Sequence, residues 1–204
     1  MKLTENTIFI TGGGTGIGRG LAEALHKLGN KVIISGRRKE HLDTTTKANP
    51  GIHSVKLDIA EPANIAVVAK KLIAGYPALN VLINNAGIML IDDAAGKIDE
   101  QLLTSTITTN LLGPIRLTSA LIEHLKKQPR ATIIYNTSAL AFVPLPLTAV
   151  YSSTKAALHS YVLSHRHKLK ATSVSVLEIA PPWVQNGPSE QRQGTSRHAA
   201  KGLH

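Results

Sequence analysis

The chain has 204 residues, of which 43% are hydrophobic and 18% charged, and it contains no cysteine. This length and composition predict one α/β domain, and they exclude disulfides, thiolate metal sites and a cysteine nucleophile. A formal net charge of +10 would suit a nucleic-acid binder, but the basic residues are dispersed and aromatic residues make up only 3%. We therefore predict no nucleic-acid partner.

The sequence contains no stretch with the pattern of a targeting or membrane segment. Its N-terminus contains Glu5 and lacks a long apolar core, which argues against a signal peptide. No run approaches the roughly 18 apolar residues of a membrane span. We therefore expect a cytoplasmic protein without a membrane partner.

The histidines are scattered and do not form a metal-binding pattern. His165 and His167 lie two residues apart on a predicted helix and therefore on different faces of it. This arrangement predicts solvated side chains rather than metal ligands, so we expect no metal site.

A glycine-rich turn separates the first predicted strand, residues 7–10, from the first predicted helix, which ends at Gly29. Glycines permit a tight turn and let the backbone approach a diphosphate, while a helix start supplies free N–H groups. The spacing matches neither G-x-G-x-x-G nor the P-loop, so a turn without a ligand remains the alternative on these residues alone. The turn reads Thr11-Gly12-Gly13-Gly14-Thr15-Gly16-Ile17-Gly18.

The rest of the chain alternates between predicted strands and predicted helices, as in a parallel sheet covered on both faces. Strands are predicted at residues 31–35, 52–57, 79–83, 131–138 and 173–179. Helices are predicted at residues 39–47, from Pro62 to Tyr76, at 98–125 and at 149–170.

Four further motifs stand at defined places in this alternation. Asn84-Asn85-Ala86-Gly87 follows the fourth strand, and Asn110 lies inside a predicted helix although asparagine is a poor helix former. Ser138 ends the fifth strand, at the edge where open α/β sheets bind ligands. Tyr151 and Lys155 are four residues apart and share one helix face. Together with the glycine turn, these motifs resemble the short-chain dehydrogenases/reductases.

The resemblance implies a doubly wound, Rossmann-type α/β domain with strand order 3-2-1-4-5-6. It also implies an oxidoreductase that interconverts a small-molecule carbonyl and an alcohol. Tyr151 would then act as acid or base, and Lys155 would bind the ribose and tune the tyrosine. Because a phenol has a pKa of about 10, a nearby ammonium is expected to lower that pKa by stabilising the phenolate. Ser138 would orient the substrate oxygen, and Asn110 would hold a water that leads to the lysine.

The same resemblance assigns the residues that bind the cofactor. An acid after the third strand would contact the adenine, although a turn or N-cap aspartate explains Asp58 about as well. Amide side chains after the fourth strand would hydrogen-bond neighbouring backbone, and the residues that follow them would leave room for the cofactor. The assigned positions are Gly12, Thr15, Gly16, Ile17, Gly18, Arg37, Arg38, Asp58, Asn84, Ala86, Gly87, Tyr151, Lys155, Pro181 and Val184.

Two arginines, Arg37 and Arg38, follow the second strand. In dinucleotide folds an acid at this place takes the ribose hydroxyls of NAD, whereas a basic group accommodates the 2′-phosphate of NADP. A guanidinium matches phosphate geometry and stacks on adenine. A solvated charge pair that opens the next helix is the alternative. The position favours NADP(H), with NAD(H) as the second option.

The resemblance ends near residue 184. Members of the family usually carry Pro-Gly after the sixth strand, whereas Ala180-Pro181-Pro182 stands here, as in one oxidoreductase branch of the family. Asn186 replaces the usual threonine, which puts the contact with the nicotinamide carboxamide in doubt. Residues 1–186 are predicted to form one NAD(P)-binding domain, and residues 187–204 a polar, disordered tail.

Family members usually continue with a part that covers the substrate. A natural short form, a truncated or frameshifted reading and a dedicated tail compete as explanations of residues 187–204, and we favour the second. Without a substrate cover, a chain that binds cofactor with weak or no catalysis becomes the alternative function. In the resembling family, helices matching residues 98–125 and 149–170 pack between subunits, so we predict a homodimer.

Overall fold

A computed structural model describes residues 2–182 of the chain. Its centre is a sheet of six strands, all paired in parallel, in the order β3-β2-β1-β4-β5-β6. The predicted doubly wound fold and strand order are therefore confirmed. The strands are β1 (Thr7–Thr11), β2 (Lys31–Gly36), β3 (His53–Lys56), β4 (Leu79–Asn84), β5 (Ala131–Asn136) and β6 (Val174–Ile179).

Helices cover both faces of the sheet and complete two apolar cores. Every residue of β1 and β5 is buried, which is why these strands are rich in β-branched residues rather than alternating in polarity. Among residues 2–182, no helix has the length and apolar character needed to cross a membrane. The helices are α1 (Gly16–Lys27), α2 (Lys39–Ala48), α3 (Pro62–Gly75), α4 (Glu100–Ile107), α5 (Gly113–Lys126) and α6 (Ala149–Lys168).

The prediction of a single helix at residues 98–125 is wrong in two respects: the helical segment starts later, and it is interrupted. The helical segment begins at Glu100, because the carboxylate of Asp99 accepts hydrogen bonds from the backbone N–H groups of Gln101 (2.7 Å) and Leu102 (3.1 Å). A π-helical turn, Thr108–Leu112, then separates α4 from α5. Such turns are local distortions that often occur at functional sites, and this one carries Asn110.

His165 is packed against other side chains, contrary to the prediction of a solvated histidine. Its Nδ1 lies 3.2 Å from the hydroxyl of Tyr135, and its ring centroid lies 5.3 Å from that of Tyr161. Tyr135 is fully buried on β5, so α6 presents His165 to the core at this point. Burial, with a smaller contribution from the charge of Lys126, lowers the pKa of His165.

We expect acidification to destabilise the protein through His165. Its pKa is lower in the folded than in the unfolded chain, so the unfolded chain binds the proton first as the pH falls. The stabilising effect of the neutral ring is present above about pH 6.5 and is lost as the pH falls from there through the folded-state value. Urea unfolding at pH 7 and pH 5 should show a smaller loss of stability for His165→Gln than for the parent. His167→Gln, at an exposed position of the same helix, should behave like the parent; equal losses in all three proteins would contradict the assignment.

Candidate active site

A cleft of about 950 Å³ opens where the carboxyl ends of the strands meet. Open α/β sheets bind ligands at this edge. Asp58, Asn84 and Asn110 do not line the cleft, and Val184 lies outside the described residues. The cleft brings together most of the predicted site residues, namely Gly12, Thr15, Gly16, Ile17, Gly18, Arg37, Arg38, Ala86, Gly87, Ser138, Tyr151, Lys155 and Pro181.

The glycine turn forms one wall of the cleft and leads into α1. Gly12 and Gly16 have φ angles of +68° and +53°, a region that residues with a Cβ rarely adopt. A Cβ at Gly18 would collide with the carbonyl oxygen of Gly12 and the amide of Asn85. Thr15 precedes α1 without making a side-chain cap, so the first N–H groups of the helix have no side-chain acceptor there. The turn is therefore shaped for an anion such as a diphosphate.

The adenosine end of a bound dinucleotide would lie beyond the end of β2. Arg37 and Arg38 are exposed there and line the cleft together with His41. Gly14 packs against this corner, since a Cβ on it would lie 3.1 Å from the Cβ of His41. Both arginines line the cleft; their contact with a cofactor phosphate stays a prediction.

A chain of hydrogen bonds joins the glycine turn to Lys155. The hydroxyl of Thr11 accepts from the backbone N–H groups of Asn85 and Ala86, both at 3.0 Å, and the Asn85 amide donates to the Thr11 carbonyl at 2.9 Å. The Asn136 amide donates to the side-chain oxygen of Asn85 (2.7 Å), and the ammonium of Lys155 donates to the Asn136 carbonyl (2.8 Å). These bonds hold the ends of β1, β4 and β5 at fixed distances.

The amides after the fourth strand were expected to bond to neighbouring backbone, as Asn85 does with the Thr11 carbonyl. No role was assigned to Asn136, which was not paired with Asn85. Both are polar residues where a buried apolar strand ends, and β4 and β5 are neighbours in the sheet. Because the carboxyl ends of neighbouring parallel strands meet at one edge, this shared position was the signal that could have paired them.

Two predicted cofactor residues are used within the protein fold. The amide of Asn84 donates to the hydroxyl of Thr118 on α5 at 3.0 Å, away from the cleft. One carboxylate oxygen of Asp58 accepts from the backbone N–H of Ala60 at 3.0 Å, which is the turn aspartate that the sequence left open as an alternative. The cofactor contacts of both residues stay predictions.

Asn110 supports the part of the cleft wall that is formed by the loop after β4. Its side-chain oxygen accepts from the N–H of Ile88 (2.9 Å), and its amide donates to the Ile88 carbonyl (2.8 Å) and the Thr154 hydroxyl (3.3 Å). The loop after β4 is thereby fixed beside α6. A Cβ on Gly87 would lie 3.2 Å from the Asn110 oxygen and 3.7 Å from the Lys155 ammonium, so this corner has no spare room. The water-mediated link from Asn110 to Lys155 stays a prediction.

Ser138 and Tyr151 bring two hydroxyl groups together in the cleft. Ser138 lies two residues beyond the end of β5, and Tyr151 lies in the first turn of α6. The Ser138 hydroxyl lies close enough to the Tyr151 phenol to oppose the rise in its pKa that burial causes, and the Ser138 oxygen accepts a hydrogen bond from the Leu140 N–H at 3.1 Å. A substrate oxygen placed between the two hydroxyls could receive a hydrogen bond from each.

The expectation that Lys155 lowers the pKa of Tyr151 is not met in this structure. Burial raises the pKa of the Tyr151 phenol, and the hydrogen bond from Ser138 opposes that shift without cancelling it. The Lys155 ammonium lies 5.6 Å from the centre of the tyrosine ring and is bonded to the Asn136 carbonyl. Desolvation therefore dominates the titration of the phenol, which is protonated at neutral pH.

Lys155 is a buried cation, with only 4% of its surface exposed. Burial lowers its pKa from 10.5 to about 8. Its ammonium has three donors, of which one is used by the Asn136 carbonyl. The remaining donors lie in the cleft wall, where hydroxyl groups of a ribose could accept them. The buried lysine and the glycine turn together fit a dinucleotide cofactor.

No metal site accompanies these groups in the described part of the chain. Among residues 2–182, no group of three or more histidine, aspartate or glutamate side chains is placed to hold a metal ion.

Comparisons with known proteins identify the family of this chain. The family model described as short chain dehydrogenase matches residues 6–196. The chain is 44% identical to an uncharacterized oxidoreductase, DltE, of Bacillus subtilis (strain 168), over 95% of this chain and 79% of that protein. These two matches cover the glycine turn, both arginines and all four predicted catalytic positions.

Two solved structures share the fold at lower identity. A short-chain dehydrogenase/reductase from Burkholderia phymatum in complex with NAD is 20% identical and has a TM-score of 0.83, over 94% of this chain and 76% of that one. An alcohol dehydrogenase from the archaeon Thermococcus sibiricus, complexed with 5-hydroxy-NADP, is 23% identical with a TM-score of 0.82, over 89% of this chain and 77% of that one. These two structures show the fold alone. The family model and the DltE match show that the chain belongs to the short-chain dehydrogenase/reductase family of oxidoreductases.

Proposed function

We propose that this protein is an NADP(H)-dependent oxidoreductase that interconverts a carbonyl and an alcohol, with Tyr151 as the proton donor. The observation that supports this most is that the hydroxyls of Ser138 and Tyr151 line the same cleft as the buried ammonium of Lys155 and the glycine turn. A proton donor, an orienting hydroxyl and a cofactor site are the groups that the reaction needs.

Different residues of the cleft would bind different parts of the cofactor. Backbone N–H groups at the start of α1 would hold the diphosphate. Lys155 would donate to the hydroxyls of the nicotinamide ribose, and Arg37 and Arg38 would pair with a 2′-phosphate. Bound NADPH supplies the hydride that reduces the carbonyl carbon.

Tyr151 supplies the proton in the direction of reduction. Burial keeps its phenol neutral at pH 7, so it donates its proton to the carbonyl oxygen as that oxygen gains charge, and solvent then returns a proton to the phenolate. Ser138 holds the same oxygen and polarises the carbonyl. Alcohol oxidation would require the phenolate first, which the raised pKa disfavours. At neutral pH the phenol is therefore in the protonation state that reduction uses.

The choice between NADP(H) and NAD(H) depends on the corner after β2. One neighbouring structure carries NAD and another a derivative of NADP, so the fold alone leaves the choice open. Arg37 and Arg38 line the cleft at this corner, and no acid lines it among residues 2–182. Two guanidinium groups favour a ligand with a phosphate on the ribose.

Arg37→Asp is expected to weaken NADPH binding by about 10- to 100-fold, because it replaces a charge-assisted hydrogen bond with a repulsion. NADH binding should change little or improve, so the preference narrows or reverses. Fluorescence titration of both cofactors measures this directly. Lys70→Glu inverts an exposed charge on α3 that does not line the cleft and serves as the control. Equal dissociation constants for NADPH and NADH in the parent would contradict the assignment.

The proposal includes a small-molecule carbonyl or alcohol as substrate, a homodimer and a cytoplasmic location. The dimer would pair the helical segments of residues 98–125 (α4 and α5) and 149–170 (α6) with their copies, as the family resemblance suggests. Light scattering at micromolar concentration tests it, and a monomer alone would contradict it. Residues 1–186 remain the proposed cofactor-binding domain; the predicted disordered tail, residues 187–204, lies outside the described residues.

Binding of NADPH without consumption of it across a panel of carbonyl compounds would favour the alternative of a cofactor-binding chain without catalysis.

A further inference from the structure

Apolar side chains are concentrated where the cleft reaches Tyr151. They line the cleft and come from the loop after β4 and the loop after β5, whereas the arginines follow β2, on the other side of β1 in the sheet. We call this surface the apolar rim; it consists of residues 88–91, Leu140, Leu145 and Leu147. Several of these side chains are open to solvent, with Ile91 75% and Leu147 60% exposed. Exposed apolar surface that is contiguous with a site of chemistry indicates a surface that binds a ligand.

The two loops of the rim are fastened to each other and to the start of α6. The N–H of Asp92 donates to the Leu147 carbonyl at 3.0 Å, and the Asp92 carboxylate accepts from the Val150 N–H at 2.9 Å. Val150 directly precedes Tyr151. The rim is therefore held at a fixed place relative to the proton donor.

Charge is distributed unequally along the cleft. Among its described lining residues, the cationic groups are Arg37, Arg38 and Lys155, with His41 as a further titratable side chain. All but Lys155 stand at the adenosine end. Lys155 is bonded to the Asn136 carbonyl and lies beneath the predicted ribose position. The rim itself contributes only apolar side chains, so it offers no partner to a charged substituent near the carbonyl.

We propose that the substrate of this site is an uncharged carbonyl compound with an apolar body, and that keto acids are excluded. The inference rests on the proposed function, because it places the carbonyl oxygen between Ser138 and Tyr151 and the rest of the molecule on the apolar rim. Transfer of an apolar group from water to the rim lowers the free energy of binding. A carboxylate would lose its hydration there without gaining a partner, which raises that free energy.

Matched pairs that differ only in charge test the inference. Benzoylformate and its methyl ester share an aryl skeleton, and 2-oxohexanoate and its methyl ester share an alkyl one. Each is titrated into the protein loaded with NADP⁺, and each is offered to the protein with NADPH. We expect the esters to bind, and their kcat/KM to exceed that of the acids by at least about 100-fold, because an unpaired carboxylate is costly to desolvate.

A charge placed on the rim should shift this preference. Leu147→Arg puts a guanidinium at a position exposed enough to accept it, and Leu147→Gln is the neutral control of polar character. We expect the arginine variant to raise kcat/KM for the acids by about 10-fold or more relative to the glutamine variant, since a carboxylate gains a partner.

The outcomes separate this inference from the proposed function. Acids that are reduced as well as their esters would overturn the inference and leave the oxidoreductase in place. Esters that bind while acids do not, without any oxidation of NADPH, would support only the preference of the rim for uncharged ligands and would overturn the proposed function. Failure of either ester to bind the loaded protein would overturn the inference.

Discussion

Tyr151→Phe is expected to lower the turnover number by about 10²- to 10⁴-fold, the usual contribution of a positioned acid. Affinity for NADPH should stay within about twofold, because the phenol acts on the substrate oxygen and its removal leaves the hydrogen bonds of Lys155 intact. Steady-state rates with a reactive carbonyl and fluorescence titration of NADPH, on the same preparations, measure both quantities.

Tyr161→Phe is the matched control for this variant. Tyr161 lies on the same helix and loses the same hydroxyl, but its partner is Tyr135 in the core. It does not line the cleft. Its removal should affect stability and leave the turnover number near that of the parent. If Tyr151→Phe kept the parent's rate, Tyr151 would not be the acid, and any turnover would need another proton donor.

Lys155→Met is expected to have opposite effects on function and on stability. It removes a donor to the ribose and the charge beside the phenol, so both NADPH affinity and turnover should fall by about 10-fold or more. The same substitution removes a buried cation whose pKa is lowered from 10.5 to about 8. That shift corresponds to about 3 kcal/mol of lost stability at neutral pH. After the loss of one hydrogen bond, a net gain of about 2 kcal/mol remains.

The pH dependence of stability shows whether the gain comes from removing the buried cation of Lys155 or from a change in packing. The folded-state pKa of Lys155 lies below the unfolded value, so the unfolded chain binds more protons between about pH 8 and pH 10.5. The parent should therefore gain stability as the pH rises through this window, apart from contributions of other groups. Urea unfolding should show that Lys155→Met lacks this gain, while Lys168→Met, at an exposed position of the same helix, keeps it. Equal pH profiles for the parent and Lys155→Met would contradict the assignment.

The architecture of the sheet could be predicted from the sequence because it depends on local patterns. Apolar β-branched runs alternate with amphipathic stretches at spacings that permit only parallel connections. The strand order and the meeting of the glycine turn, Ser138 and Tyr151 then follow from the family resemblance. The structure has the same order and brings these residues to one cleft.

The directions of individual side chains could not be predicted in the same way. Asn84 is the last residue of a strand, and a single change of face decides whether its amide meets α5 or the cleft. The carboxylate of Asp58 accepts a hydrogen bond from the N–H of Ala60 within its own turn. Both outcomes depend on packing partners that are distant in the sequence, and spacing alone carries no information about them.

Burial of a side chain also depends on the assembled fold. It explains two differences between the sequence-based expectations and the structure. His165 was expected to be solvated because it and His167 lie on different faces of the helix, as solvated histidines rather than metal ligands would. Tyr135 from β5 and Tyr161 from α6 nevertheless pack around it. The pKa of Tyr151 was expected to fall because of the nearby lysine. It is raised instead, because desolvation depends on how many atoms surround the phenol rather than on the spacing of the two residues.

Transfer of deuterium from labelled NADPH tests the central claim most directly. NADPH carrying deuterium at C4 of the nicotinamide, on either face, is incubated with the parent and with Tyr151→Phe in the presence of an uncharged apolar ketone. We predict that the parent forms an alcohol with deuterium on the former carbonyl carbon, from one of the two labelled faces only, and that Tyr151→Phe forms it at least about 100-fold more slowly. Alcohol without label from either face, or no alcohol although NADPH binds, would contradict the account of this protein as a hydride-transferring oxidoreductase.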